Sequence, residues 1–333
     1  MRSRAIRIGL GVGVSVLLLG LAVRNVDWAE AVAALRGANY LYVVPMLAVT
    51  LWGLLVRAQR WRLFLRPVGV PPLATLVHAT NIGFMANMIL PLRIGEVIRP
   101  VLVNRREHLP LSGLLASIVL ERIFDMFTIL LLFGVSALLV PVSDQVSRWG
   151  AMLTAVAAAV GVVILLIRWQ ERRALSIFRR CCELLPAKIG EPAYGFVGGF
   201  VTALEILDSP IAFIKALTWS LYLWLVITMT YVLGAAGFGL QAPYFVTGLV
   251  VTTVVAIAVS VPSAPGYIGA FQLGCVLGLA IFGIPESPAI AYSIVLHLTQ
   301  FVAIVGAGLY SLWTQNMSLR EIELVQRGDE QVA

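Results

Sequence analysis

Charge is scarce in this sequence. Aspartate, glutamate, lysine and arginine make up 12% of its 333 residues, against 60% apolar residues and a mean hydropathy of +0.93. Soluble globular domains carry about twice that share of charge, so this class is excluded. Cysteine is equally sparse. Cys181 and Cys182 sit together in a polar loop and Cys275 in an apolar stretch, so neither a disulfide framework nor a metal-ligand spacing exists. The three histidines are scattered singly, and no metal or cofactor is expected. Long polar blocks are missing too. The longest, 168–210, is too short for an appended soluble domain. One integral membrane domain over 1–333 is the expectation.

What charge there is lies at the ends of apolar segments. A net charge of +7 and a pI of about 9.7 would suit nucleic acid, but basic residues bordering hydrophobic runs act as orientation signals and contacts to anionic lipid. No nucleic-acid partner is expected. Arg2, Arg4 and Arg7 precede a first span over 8–23, which lacks a small-x-small cleavage site and reads as uncleaved, with a cytoplasmic N-terminus. Residues 24–39 read as an external amphipathic turn. A second span over 40–56 ends in Arg57, Arg60, Arg62 and Arg66, which return the chain to the cytoplasm.

Residues 73–90 are apolar enough to cross again, yet Arg93, Arg99, Arg105 and Arg106 follow directly, so both flanks lie on one side. A re-entrant helical hairpin breaking near Pro91 and returning over 93–106 resolves the conflict, with its broken backbone covered by protein or a wet cavity. A third span covers 111–140, with an external turn at 141–150. A fourth covers 151–167, and the basic connector 168–210 is cytoplasmic, with a surface helix over 192–208. A fifth span covers 211–234. A second hairpin enters over 244–261, breaks at Val261-Pro262-Ser263-Ala264-Pro265-Gly266 and returns over 267–283. A sixth span over 288–314 leads to a cytoplasmic tail, 315–333. Of the 24 basic residues, Arg24, Arg36 and Arg148 fall outside and Arg122 and Lys215 within spans, leaving nineteen on the cytoplasmic side.

The expected fold is therefore an all-α polytopic membrane protein with about six full spans and two re-entrant hairpins. Its halves, about 8–140 and 151–314, run in opposite senses as an inverted-topology repeat, the arrangement in which transporters place broken helices near the midplane. Pro91, Ile94 and Gly95 are echoed by Pro265, Ile268 and Gly269.

Several polar residues stand where a bilayer would be. A half-helix starting inside the membrane aims free N–H groups at a cavity, and Pro91, Gly95, Pro265, Gly266 and Gly269 suit two such starts. The alternative is that they only form tight turns. Arg93, Glu96 and Arg99 share a broad face if the return is helical, and arginine's planar fork suits phosphate or carboxylate. The competing reading is a closed internal salt bridge or plain anchoring, and anchoring is preferred for Arg105 and Arg106. Gly113, Ser117, Glu121, Asp125 and Thr128 form a polar stripe on an oily helix. Arg122, one step round, belongs with a carboxylate elsewhere, for which Glu96 is the candidate. Charges at such depth cost a few kcal/mol each, so they either hold the bundle together or handle something polar. Ser293, His297 and Gln300 share a stripe on the sixth span, Gln272 lies beside the second break, and His78 is a weaker candidate. The tryptophans and tyrosines, among them Trp28, Tyr40, Tyr42, Trp61, Trp149, Trp169 and Trp313, are expected at interfaces.

Three motifs in order, Asn87…Pro91-x-Arg93-x-Gly95-Glu96-x-x-Arg99, Glu121-Arg122-x-x-Asp125 and Pro262…Pro265-Gly266-x-x-Gly269, resemble the lysylphosphatidylglycerol synthase transmembrane family. It is also called the flippase-like or UPF0104 family. The likeness covers about residues 5–315. It implies movement of a modified lipid between leaflets, and similarity to stand-alone members without the aminoacyl-transferase domain, so synthase activity does not carry over. An acidic residue usual after the second Pro-Gly is replaced by Ala270, Phe271 and Gln272.

The leading expectation is a translocator of lipids with anionic or zwitterionic headgroups in a bacterial inner membrane, without enzymatic activity. Arg93 and Arg99 would take the phosphate; Glu121 and Asp125 would balance them. A partner of a lipid-modifying or glycosyl-transferring enzyme is the second class. An intramembrane lipid-phosphate enzyme is third, and no metal motif or nucleophile set supports it.

Overall fold

A computed structural model describes residues 2–140, 144–260 and 264–318, together with Glu321. Val261, Pro262 and Ser263 of the second break, the first residues of the external turn and most of the tail, with Arg320 and Arg327, lie outside these. The protein is an all-α polytopic membrane protein. In chain order the helices are α1 Arg2–Val23, α2 Trp28–Gly37, α3 Val43–Phe64, α4 Leu73–Ile89, α5 Gly95–Glu107, α6 Leu111–Leu139 and α7 Asp144–Trp169. Then follow α8 Glu171–Glu183, α9 Ala187–Ala203, α10 Pro210–Gly237, α11 Tyr244–Ala258, α12 Ala270–Ala280 and α13 Glu286–Thr314. Among the described residues, three segments are long and apolar enough to cross a bilayer outright: Tyr40–Phe64, Pro210–Gly237 and Glu286–Thr314. At 29 residues α6 is as long as α13, but it carries Glu121, Arg122 and Asp125.

Both expected breaks are present. Leu90 is extended (φ −99°, ψ 148°), as a residue before proline must be, and Pro91 opens a 3-10 turn through Arg93 before α5 begins. After α11, a 3-10 turn over Pro265–Tyr267 leads to α12, with Gly266 (φ +68°) and Gly269 (φ +87°) in left-handed backbone. Close approach holds each hairpin together. A Cβ on Gly95 would lie 1.8 Å from the Gly83 carbonyl oxygen, and Cβ atoms on Gly274 and Gly278 would meet the Val255 and Val251 backbone at 2.9 and 3.0 Å. Between helices in lipid the hydrophobic drive is weak, so such backbone contact supplies the packing.

N-terminal and C-terminal helices pack on one another. α3 lies along α10, the α4 hairpin packs on α13 and the α11 hairpin on α6, and the two 3-10 turns touch each other.

Three expectations need correction. Residues 24–39 hold a helix, α2, whose start is capped by Asp27 accepting from the Ala29 amide at 2.8 Å. The surface helix over 192–208 begins earlier, at Ala187, and keeps Pro192 inside. Its end is buried against α6, because Gly199 rests on the Ser112 backbone. Trp61 belongs to no interfacial belt: it is fully buried and donates to Ser117 Oγ at 2.9 Å. In the connector, Arg168 Nε donates to Asp208 Oδ1 at 2.6 Å and holds that carboxyl below its usual range.

Candidate functional site

The intramembrane charges form an alternating chain. Glu96 Oε1 lies 2.8 Å from Arg122 Nη2, and Arg122 Nη1 lies 3.6 Å from Asp125 Oδ2. Asp125 Oδ1 then accepts from Arg60 Nη1 at 2.6 Å, Arg60 Nη2 reaches Glu121 Oε1 at 3.4 Å, and Glu121 Oε2 takes Arg99 Nη1 at 3.2 Å. Three helices supply it: α3 gives Arg60, α5 gives Glu96 and Arg99, and α6 the remainder. Trp224 Nε1 adds a bond to Asp125 Oδ1 at 3.0 Å, and Arg99 stacks over Trp61 at 4.3 Å. The chain runs from a dry end to a wet one. The Arg99, Arg60 and Glu121 side chains are at most 5% exposed, whereas Arg122 is 42% exposed.

That wet end borders a cavity of about 540 Å³ between the halves. Arg57, Asn87, Arg93, Glu96, Arg122, Asp125, Tyr267, His297 and Gln300 supply polar lining, and Val49, Leu54, Ile129, Leu130, Val226 and Ile227 supply aliphatic lining. Arg57, on α3, lies over the Phe84 ring at 4.6 Å. Arg93 has left-handed backbone (φ 53°), donates to the Val259 carbonyl and lies over the Tyr267 ring at 5.2 Å. Among the described residues neither has a carboxylate within ion-pair distance.

The expected single face of Arg93, Glu96 and Arg99 does not form. Arg93 precedes α5 and turns to the second hairpin, Glu96 turns to Arg122, and Arg99 turns into the core toward Glu121. Of the residues singled out in the sequence, Arg93, Glu96, Arg122, Asp125, His297 and Gln300 line the cavity. Arg99 and Glu121 stand behind its wall. Pro265, Gly266 and Gly269 shape the turn and Gln272 lies beside it, all outside the lining.

The second helix start has one of its amides already taken. Gln272 Oε1 accepts from the Gly269 amide at 2.8 Å, and Gln272 Nε2 bonds His297 Nδ1 at 2.9 Å, with His297 stacked on Phe271 at 4.6 Å between centroids. Ser15 of α1 accepts from the Ala264 amide at 2.6 Å, tying the break to the first helix. Gln272 therefore satisfies a backbone donor that an anion would otherwise claim. Ser293 bonds its own helix at the Ile290 carbonyl.

Sequence reasoning missed Arg57, Arg60, Trp224 and Tyr267, and used Asn87 only in a motif. The signal for the first two was their place in the last turns of an apolar helix, one turn apart, where orientation signals also stand.

A charged cavity beside two broken-helix turns lies inside an all-helical polytopic membrane protein. The lysylphosphatidylglycerol synthase TM region family matches residues 8–308, and the chain belongs to it. It is 25% identical to glycosyltransferase AglD of Haloferax volcanii over 95% of this chain, and spans 56% of that protein. A UPF0104 membrane protein of Methanothermobacter thermautotrophicus is 23% identical, over 88% of this chain and 89% of that one. No solved structure matches.

Proposed function

We propose that this protein translocates a membrane lipid between leaflets, with its headgroup passing through the charged cavity. One observation carries the reading: a single cavity is lined both by cations without ion-pair partners among the described residues and by aliphatic side chains, as a headgroup with attached chains requires. Arg93 and Arg57 meet the phosphate. Glu96 and Arg122, the most exposed link of the charge chain, join the first hairpin to α6 and rearrange as the headgroup passes. The packing of hairpins on opposite halves supports an inverted repeat with both hairpins re-entrant, in which one half rocks against the other. Charge placement supports cytoplasmic termini in a bacterial inner membrane.

A second reading has one specific support. The relative named a glycosyltransferase extends well beyond the stretch matched here, which supports a role for this chain beside an enzyme.

Reconstitution in vesicles with fluorescent phospholipids separates the two. Translocation predicts that the protein raises the fraction of label reached by an impermeant quencher above that of empty vesicles. No increase for any anionic or zwitterionic lipid would overturn the proposal in favour of the partner role.

A further inference from the structure

The charge chain and the cavity together define which headgroup the site fits. Glu96, Arg122, Asp125, Arg60, Glu121 and Arg99 alternate in sign and balance, three against three. Arg57 and Arg93 stand outside this chain. Asp125 lies within electrostatic reach of Arg57 but already holds Arg60 and touches Arg122, and the other cavity carboxylate, Glu96, is held by Arg122. The cavity is thus left with two positive charges that no carboxylate among the described residues pairs. Both line the same cavity, where Arg93 covers the Tyr267 ring at 5.2 Å and Arg57 lies over the Phe84 ring at 4.6 Å. Asn87 lines the same cavity with its side-chain oxygen buried and unbonded, one of several neutral polar groups there.

Uncompensated charge in a partly dry site calls for a counter-charge from the ligand. A phosphate diester brings one negative charge; a terminal phosphate monoester brings about −1.5 to −2 at neutral pH and a third acceptor oxygen for two arginine forks. We propose that the cavity selects a lipid with a terminal phosphate monoester, a dianionic headgroup, held between Arg57 and Arg93 with its chains along Val49, Leu54, Ile129 and Val226. This rests on the reading of the cavity as a lipid site and narrows it, because a zwitterionic or cationic headgroup would leave the two arginines unmet.

The test uses the full chain in nanodiscs of zwitterionic lipid. Short-chain phosphatidic acid, phosphatidylglycerol, phosphatidylcholine and chain-free glycerol 3-phosphate are titrated at pH 8 and pH 5, with retention read by native mass spectrometry. At pH 8 phosphatidic acid should bind at least tenfold tighter than phosphatidylglycerol, and this advantage should collapse at pH 5, below the second pKa of about 6. Arg57→Gln and Arg93→Gln should each bring phosphatidic acid to the level of phosphatidylglycerol. Neither orphans a carboxylate, so thermal stability should hold. Equal binding of the two lipids at pH 8, or a preference surviving both substitutions, would overturn the inference. Glycerol 3-phosphate binding as tightly as phosphatidic acid would also overturn it, by assigning the site to a soluble phosphate. The same lipids in the vesicle assay keep the two ideas apart. Transport without preference for phosphatidic acid sinks the charge argument and leaves translocation standing. Selective binding without transport does the reverse.

Discussion

Arg60 and Asp125 meet at 2.6 Å between α3 and α6, and both side chains are at least 93% buried. Arg60 also reaches Glu121, so one guanidinium ties both carboxylates of the polar stripe to the neighbouring span. A buried pair is only weak evidence of net stabilisation, because desolvation offsets the attraction, but removing one partner strands the other.

Arg60→Gln should therefore destabilise the fold by about 3–5 kcal/mol, leaving two buried carboxylates short of a cation. Arg57→Gln, one turn away on the same helix, should cost little. Thermal melts of the two variants in detergent give the comparison; equal melting temperatures would show that the chain is not what holds α3 to α6. Glu121→Gln should also act mainly on stability. Asp125→Asn, whose carboxylate reaches the cavity, should lower transport in the protein that still folds.

That contrast shows where sequence reading stopped. Three of the expected spans, both breaks and the Glu96–Arg122 pairing were legible, because apolar length, Pro-x restriction and the poor match of neighbours on a helix are local rules. Arg57 and Arg60 were not. Four arginines closing an apolar segment follow the same charge rule whether they anchor in lipid headgroups or turn inward, and only the position of α6 decides. Arg99 was assigned to the cavity for a related reason: helical spacing places it near Glu96, but its stacking on Trp61 and its bond to Glu121 hold it in the core. Gln272 was seen as a polar residue beside a break. That it accepts from the Gly269 amide depends on a backbone direction that the sequence does not encode locally.

The first hairpin depends on two glycines. A methyl on Gly95 would fall 1.8 Å from the Gly83 carbonyl oxygen, a backbone atom that cannot rotate away. Gly95→Ala should force α4 and α5 apart and sharply reduce the folded protein recovered from membranes. Gly134→Ala, with nothing within 4 Å of the new methyl, should be recovered normally. Full recovery of Gly95→Ala with intact transport would mean the hairpin tolerates a wider opening than this packing allows.

Topology offers a separate check. In a background without Cys181, Cys182 and Cys275, a cysteine at Arg105 should be shielded from an impermeant thiol reagent in intact cells, and one at Gln241 should react. Both positions are exposed in the structure, so burial does not confound the result. Labelling of position 105 from outside would convert the first hairpin into a full crossing and remove the inverted repeat with it.

Arg93 and Arg99 were grouped by spacing, and the structure puts them in different surroundings. Arg93 lines the cavity without a carboxylate partner, held by the Val259 carbonyl and the Tyr267 ring. Lysine there keeps the charge but loses the planar fork, so Arg93→Lys should weaken lipid retention about tenfold with little change in melting temperature. Arg99 is stacked between Trp61 and Phe84, at 4.3 and 5.5 Å, and bonded to Glu121. Arg99→Lys exchanges a stacked fork for a point charge, and should cost about 1–2 kcal/mol of stability, the scale of a desolvated cation–π contact. Lipid retained per folded molecule should hold. Arg105→Lys, exposed at the end of α5, should change neither. Native mass spectrometry and thermal melts on the three variants at matched expression read both axes at once. A loss of retention in Arg99→Lys without a loss of stability would place Arg99 in the headgroup site after all, and would require the hairpin to open far enough to turn it from Glu121 to the cavity.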